Sequence, residues 1–289
     1  MSIQLPDGRT VGYADYGSPS HTAVLWCHGG PGSRLEPEAL APAAREAGLR
    51  IIGIDRPGYG DSTPVPGRTI GQCVPDAVAV ADSLGIERFV TVGCSTGGAY
   101  ALALAAQSPR VIGAVACCAL SDMRWAEGKS LAMRDNPGIG QIWSARDREH
   151  ALAIATEQMG TDGMKLMSQA RTGPALAASD MALLTNPEWL AGFLSRRPLM
   201  FAHGVQGYVD DRLADGPGWG SFDVSRVRCP VVVLHGGSDS ICPVALAHHT
   251  AKIVPGAKLS IFPELGHFSI LGEALGAVTQ VLSSARPRN

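Results

Sequence analysis

Three side chains in this sequence could together turn a hydroxyl into a nucleophile. Ser95 lies in Gly93-Cys94-Ser95-Thr96-Gly97-Gly98, Asp239 in His235-Gly236-Gly237-Ser238-Asp239-Ser240 and His267 in Glu264-Leu265-Gly266-His267-Phe268. A serine hydroxyl is a weak nucleophile at neutral pH, so it needs a base within hydrogen-bond reach and an acid that orients the base. The chemistry open to such a set is acyl transfer. Ser95 would attack a carbonyl, His267 would take its proton, and Asp239 would hold the imidazole.

With 35 glycines in 289 residues, a G-x-S-x-G match has little weight alone. Its flanks give it weight. The β-branched stretch Arg88-Phe89-Val90-Thr91-Val92 precedes it and the alanine-rich, helix-forming stretch from Ala99 to Gln107 follows, which is the strand, sharp turn and helix that exposes a serine hydroxyl at the top of a sheet. Cys94 beside Ser95 reads as a packing residue, because adjacent side chains on such a turn point in different directions. Asp122 also follows a strand pattern and is the rival acid.

Attack on a carbonyl builds negative charge on its oxygen, and rigid backbone N–H groups are the best donors to it. One candidate is the N–H of Thr96, directly after Ser95 and at the start of a helix. The second is the N–H of Gly30, in His28-Gly29-Gly30-Pro31-Gly32, a loop whose glycines let backbone approach a substrate.

These residues need a sheet to place them. Val24 to Cys27, Ile51 to Ile54, Phe89 to Val92 and Val111 to Cys118 read as buried strands; Glu36 to Ala47, Gly71 to Leu84 and Ala99 to Ala106 read as helices between them. The alternation predicts a mostly parallel α/β sheet covered on both faces. It stops after Leu120. Residues 121–228 read as a helical lid insertion, with helices such as Arg146 to Gln158 and Pro187 to Leu194. The α/β pattern then resumes with strands Pro230 to Leu234 and Lys258 to Phe262 and helices Pro243 to Ile253 and His267 to Ser284. The predicted organisation is a core of residues 1–120 and 229–289 with the lid over the carboxyl ends of the strands, where open α/β sheets bind ligands.

Composition excludes several classes of function. A net charge of −2 with 17% charged residues offers no electrostatic surface for nucleic acid or anionic membrane. The start of the chain has no basic, apolar leader, and no apolar run reaches the ~18 residues of a spanning helix, so a cytoplasmic protein is expected. Seven cysteines without a C-x-x-C pair fit reduced thiols and no metal site.

The motifs together resemble the α/β-hydrolases of the proline iminopeptidase-like branch. The matching pieces are His28-Gly29-Gly30-Pro31-Gly32-Ser33, Asp55-Arg56-Pro57-Gly58-Tyr59-Gly60-Asp61-Ser62, the turn at Ser95, the Asp239 loop and Gly266-His267-Phe268. The chain order serine, aspartate, histidine is also that of this fold. The resemblance implies an α/β-hydrolase fold, catalysis by Ser95, Asp239 and His267 through an acyl-enzyme, and no cofactor. A serine at the elbow departs from the dehalogenases and epoxide hydrolases, which use aspartate. Thr96 departs from the peptidases, which carry tryptophan there, and whose acidic lid residues bind the substrate's amine; Glu149, Glu157, Asp180 and Glu188 are the acids available here.

The expected substrate is therefore a small-molecule carboxylic ester or lactone. If Met159, Met164, Met167, Met181, Trp125, Trp143 and Trp189 of the lid line the site, the substrate is a bulky hydrophobic ester such as a macrolide-type lactone; ordinary packing of these residues is the other reading. A proline iminopeptidase-type aminopeptidase and a non-catalytic homologue that binds a small molecule are the competing functions.

Overall fold

The computed structural model describes residues 1–165 and 176–285. Eight strands form one sheet in the order β1-β2-β4-β3-β5-β6-β8-β9. They are β1 (Ser2–Gln4), β2 (Thr10–Asp15), β3 (Thr22–Cys27), β4 (Leu49–Ile54), β5 (Phe89–Cys94), β6 (Val111–Cys117), β8 (Val231–Gly236) and β9 (Lys258–Phe262). A ninth, β7 (Ala202–Val205), lies outside this sheet. Pairing is parallel from β4 through β9, as the strand and helix alternation predicts, and antiparallel where β2 joins β1 and β4.

The central strands β3, β4, β5, β6 and β8 are buried almost throughout because both faces are covered. Along β3, Leu25 and Cys27 face one core while Val24 and Trp26 face the other; in β8, Val231 and Val233 are divided from Val232 and Leu234 in the same way. This is the two-residue period of a pleated strand. Helices α2 (Val74–Ser83) and α3 (Gly97–Gln107) pack in the first core. Helix α1 (Ala41–Glu46) and the C-terminal helix α11 (Ala274–Ala285) contribute Ala44, Ala274, Ala277, Val278 and Val281 to the second. The alanines of α3 are all buried, and their small side chains let the helix lie close against β5 and β6.

Between β6 and β8 the chain forms α4 (Ala126–Asp135), α5 (Pro137–Trp143), α6 (Arg148–Met159), α7 (Ala178–Thr185), α8 (Pro187–Met200) and α9 (Gln206–Asp215). Ile142, Ala151, Ala155, Met159, Met200 and Val209 form a separate apolar cluster inside this segment. Its end is built into the main body, since Trp219 and Phe222 join the first core. Helix α10 (Val244–Ile253) follows β8. Two expected helices begin with 3-10 turns, at Glu38–Leu40 and Gly71–Cys73, and the last expected helix is a 3-10 turn at Ser269–Glu273 followed by α11. Among the described residues, no helix is long and apolar enough to cross a membrane.

Candidate active site

Ser95 is the first of the two residues that turn the chain from β5 into α3, and its φ of 51° puts it in the left-handed region. That conformation costs a non-glycine residue about 1–2 kcal/mol. The turn is fixed by its hydrogen bonds, from Ser95 N–H to the Cys117 carbonyl at 2.9 Å and from Gly98 N–H to the Ser95 carbonyl at 3.0 Å. Its glycines are sterically required. A Cβ on Gly93 would strike the backbone of Gly97, and one on Gly97 would strike the carbonyls of Cys27 and His28.

Asp239 and His267 come together at the sheet edge. The His267 Nδ1 lies 2.8 Å from Asp239 Oδ2, and both residues are buried. Asp239 Oδ1 accepts from the N–H groups of Ile241 and Cys242, each at 2.8 Å, which fixes the carboxylate in its loop. Burial opposes both charges. The charge and hydrogen bond of Asp239, with the nearby Cys118 and Cys242, nevertheless hold the imidazole of His267 well above its usual range. The carboxyl of Asp239 is held low against the same burial, chiefly by His267 and then by His235.

Ser95, Asp239 and His267 follow β5, β8 and β9, so all three stand at the carboxyl edge of the sheet. Cys118, directly after β6, donates its N–H to the Leu234 carbonyl at 2.8 Å and so joins the carboxyl ends of β6 and β8. The Ser95 hydroxyl itself has no hydrogen-bond partner among the described residues. Cys94 is buried in the second core and burial pushes its thiol upward, so it packs as the sequence suggests.

The rival acid is engaged elsewhere. Asp122 accepts from Arg124 Nε and Nη2 at 2.9 and 2.6 Å and from Trp219 N–H at 2.9 Å, so it ties down a loop.

Gly30 and Thr96 come together directly: a Cβ on Gly30 would lie 2.9 Å from Thr96 Oγ1. Among the described residues neither backbone N–H is hydrogen-bonded, whereas the Gly29 N–H is held by Glu36 Oε2 at 2.9 Å. The rest of the loop is held from behind by Arg56, which donates to the carbonyls of His28 and Gly29. Arg56 in turn pairs with Asp211 through Nε at 3.1 Å and Nη2 at 2.6 Å. Arg68, Tyr59 and Tyr100 complete the donors around Asp211. Burial would raise the Asp211 carboxyl, but Arg56 and Arg68 drive it far below the carboxylate range. Arg212 donates to Thr96 Oγ1 and pairs with Asp215 at 2.7 Å.

The roles of Arg56, Asp211 and Arg212 are not legible in the sequence. Arg56 stands inside the motif Asp55 to Ser62, but its partner Asp211, 155 positions further along the chain, and the neighbouring Arg212 lie in α9 and are buried. The lid acids divide in two. Glu149, Glu157 and Glu188 are exposed, while Asp180 is buried and takes N–H groups of the His267 loop.

The methionines and tryptophans of the insertion are spread over several environments, and Trp125 and Trp143 pack in an apolar cluster with Cys242 of the Asp239 loop. Met159 is inside the segment's own apolar cluster, Met164 and Met181 are exposed, Trp125 stacks on His249, and Trp143 donates to Asp215 at 2.8 Å. Met167 lies outside the described residues. Trp189 reaches the neighbourhood of the histidine through an edge contact with Phe268 at 6.1 Å; Phe268 meets the His267 ring edge-on at 5.5 Å.

A mostly parallel sheet whose strand ends bring together a left-handed serine after a strand, a paired aspartate and histidine, and two unpaired backbone N–H groups has the layout of an α/β-hydrolase fold. The family profile described as alpha/beta hydrolase fold matches residues 22–274, and the chain belongs to that family. It is 24% identical to a bifunctional esterase/perhydrolase of Acinetobacter calcoaceticus, over 92% of each chain. It is also 24% identical to a proline iminopeptidase of Xanthomonas citri, over 96% of this chain and 94% of that one. Among solved structures, a thermophilic esterase from Thermogutta terrifontis superposes with a TM-score of 0.71 at 21% identity, covering 99% of both chains.

Proposed function

We propose that this protein is a serine hydrolase that cleaves a carboxylic ester or lactone, with residues 121–228 serving as a cap over the site. The observation that carries the reading is the 2.8 Å contact between His267 and Asp239 at the sheet edge that also bears Ser95.

With Asp239 accepting from Nδ1–H, the free Nε2 of His267 is the base. Ser95 Oγ bonds to the carbonyl carbon as its proton passes to Nε2, and the carbonyl oxygen takes the electron pair. The N–H groups of Gly30 and Thr96 stabilise that oxyanion. Collapse of the intermediate breaks the bond to the alkoxide, which leaves with the proton from His267. Water, deprotonated by His267, then repeats the attack on the acyl-enzyme and frees the acid and Ser95. Phe268 and Trp189 offer an apolar surface beside the histidine that delivers the leaving-group proton.

The iminopeptidase reading is favoured by similarity to the Xanthomonas citri protein. Against it stand Thr96 in place of tryptophan and the engagement of Asp180 by four donors. Purified protein assayed on short acyl esters, lactones and a prolyl arylamide separates the two: the ester reading expects ester or lactone turnover well above amide turnover, and the reverse order sinks it. A fluorophosphonate probe should label the wild type and not Ser95→Ala. Failure to label the wild type would favour a non-catalytic binding protein.

A further inference from the structure

The loop that carries His267 is not held by the sheet alone. Asp180, in the first turn of α7, reaches it from the inserted segment and is itself buried. Its Oδ2 accepts the backbone N–H of His267 at 2.7 Å. Its Oδ1 accepts the N–H groups of Phe268 and Ser269 at 3.0 and 2.8 Å. The Ser269 hydroxyl is 2.8 Å from Oδ1 and 3.0 Å from the Ser179 hydroxyl; with one proton to give, it gives it to the charged carboxylate. Ser179 donates instead to the Glu264 carbonyl at 2.9 Å, on the other side of the histidine.

These N–H groups open the 3-10 turn at Ser269–Glu273 and have no partner within it, so a carboxylate is the natural acceptor. Gly266 makes the approach possible, since a Cβ there would lie 2.5 Å from Asp180 Cγ and 2.7 Å from Ala177 Cβ. Asp239 fixes the imidazole at Nδ1, but that bond leaves the backbone beneath the ring free to shift. Asp180 fixes the backbone.

We infer that Asp180 is a positioning residue for His267, docking the histidine loop onto the inserted helical segment so that the imaging of base against nucleophile depends on that segment being in place. This rests on the acyl-transfer reading of Ser95, Asp239 and His267. Asp180 does not touch the reacting atoms; it sets where the base stands, and a displacement of about 1 Å in such a group costs on the order of 100-fold in rate.

The two obvious substitutions grade the effect. In Asp180→Asn the amide oxygen turns to the three donors at Phe268 and Ser269, and its NH2 faces the His267 N–H, so only that bond is lost. Asp180→Ala loses all four. With the full chain and a turned-over ester, kcat should fall roughly 10-fold in Asp180→Asn and about 100-fold in Asp180→Ala, with KM little changed in both. Fluorophosphonate labelling of Ser95 should slow in the same order, because it needs the same base. Asp180→Asn is nearly isosteric and keeps the result readable if Asp180→Ala does not fold. Wild-type kcat in folded Asp180→Asn, or a loss confined to KM, overturns the inference. Ser95→Ala separates the two levels: activity surviving there overturns the acyl-transfer reading and this inference with it, whereas activity lost there but intact in the Asp180 variants overturns this inference alone.

Discussion

Arg56 and Asp211 form a two-pronged ion pair, at 3.1 and 2.6 Å, shielded from water directly behind the loop that carries Gly30. The remaining donors of Arg56 hold the carbonyls of His28 and Gly29. A carbonyl held on one side of a peptide turns the next N–H to the other, so the pair sets the direction of the Gly30 N–H without touching a substrate.

Removing Asp211 should therefore damage stability and rate together. Asp211→Ala leaves Arg56 and Arg68 buried with no counter-charge, at a cost of about 3–5 kcal/mol. Urea denaturation should show the loss as a lower midpoint, and ester turnover should fall in whatever fraction stays folded. An unchanged midpoint would mean that the pair carries no net stability.

The pH dependence follows from His267. Only its neutral form can take the Ser95 proton, so kcat/KM should rise with pH through the folded-state pKa, which Asp239 holds well above the ordinary 6.5 against the opposing effect of burial. Stability runs the other way. The raised pKa contributes stability that is fully present below the unfolded value and is lost as pH rises through the folded one. The protein should thus be most active where this contribution has gone. A kcat/KM profile with its acid limb centred below 6.5 contradicts the pairing, and Asp239→Asn should move the limb downward.

The residues proposed for chemistry were legible because each is announced locally. Ser95, Asp239, His267 and Gly30 all follow an apolar strand pattern and sit among glycines, which mark the bends at the sheet edge. Asp211 and Asp180 have no such signal. Their partners are 155 and 87 positions away, so nothing nearby distinguishes them from solvated helical carboxylates. The fold divides similarly. The central parallel strands have two buried faces and read as mostly apolar runs, but β1 and β2, toward one edge of the sheet, are partly exposed and give no comparable run. The tryptophans and methionines of the insertion looked suited to a pocket, yet side-chain type alone does not say which face of a helix meets the site.

Backbone strain at Ser95 leads to a prediction that side-chain chemistry would not. Ser95→Ala and Ser95→Gly should both be inactive, but at φ 51° glycine is relaxed where alanine is strained. Ser95→Gly should be the more stable of the two by about 1 kcal/mol, a difference of roughly 2–4 °C in Tm for a chain of this size. Equal melting temperatures would show that the elbow is not strained in solution.

The choice of acid can be decided by exchanging single atoms. Asp239→Asn presents an amide to His267, which disfavours the tautomer with a free Nε2, and comparable triads lose on the order of 10,000-fold in kcat. Asp122→Asn weakens a clamp on Arg124 that lies away from the histidine, so its kcat should stay close to wild type while its urea midpoint falls slightly. Asp122 is held low by Arg124 and by the Trp219 and Arg124 N–H groups despite the opposing effect of burial, so the stability it adds is present above the unfolded carboxyl pKa and is lost as pH falls through the folded one. The two variants should therefore separate cleanly, one in rate and the other in acid stability. If Asp122→Asn were crippled and Asp239→Asn active, the acid would belong to β6 and the assignment of the triad would have to be redrawn.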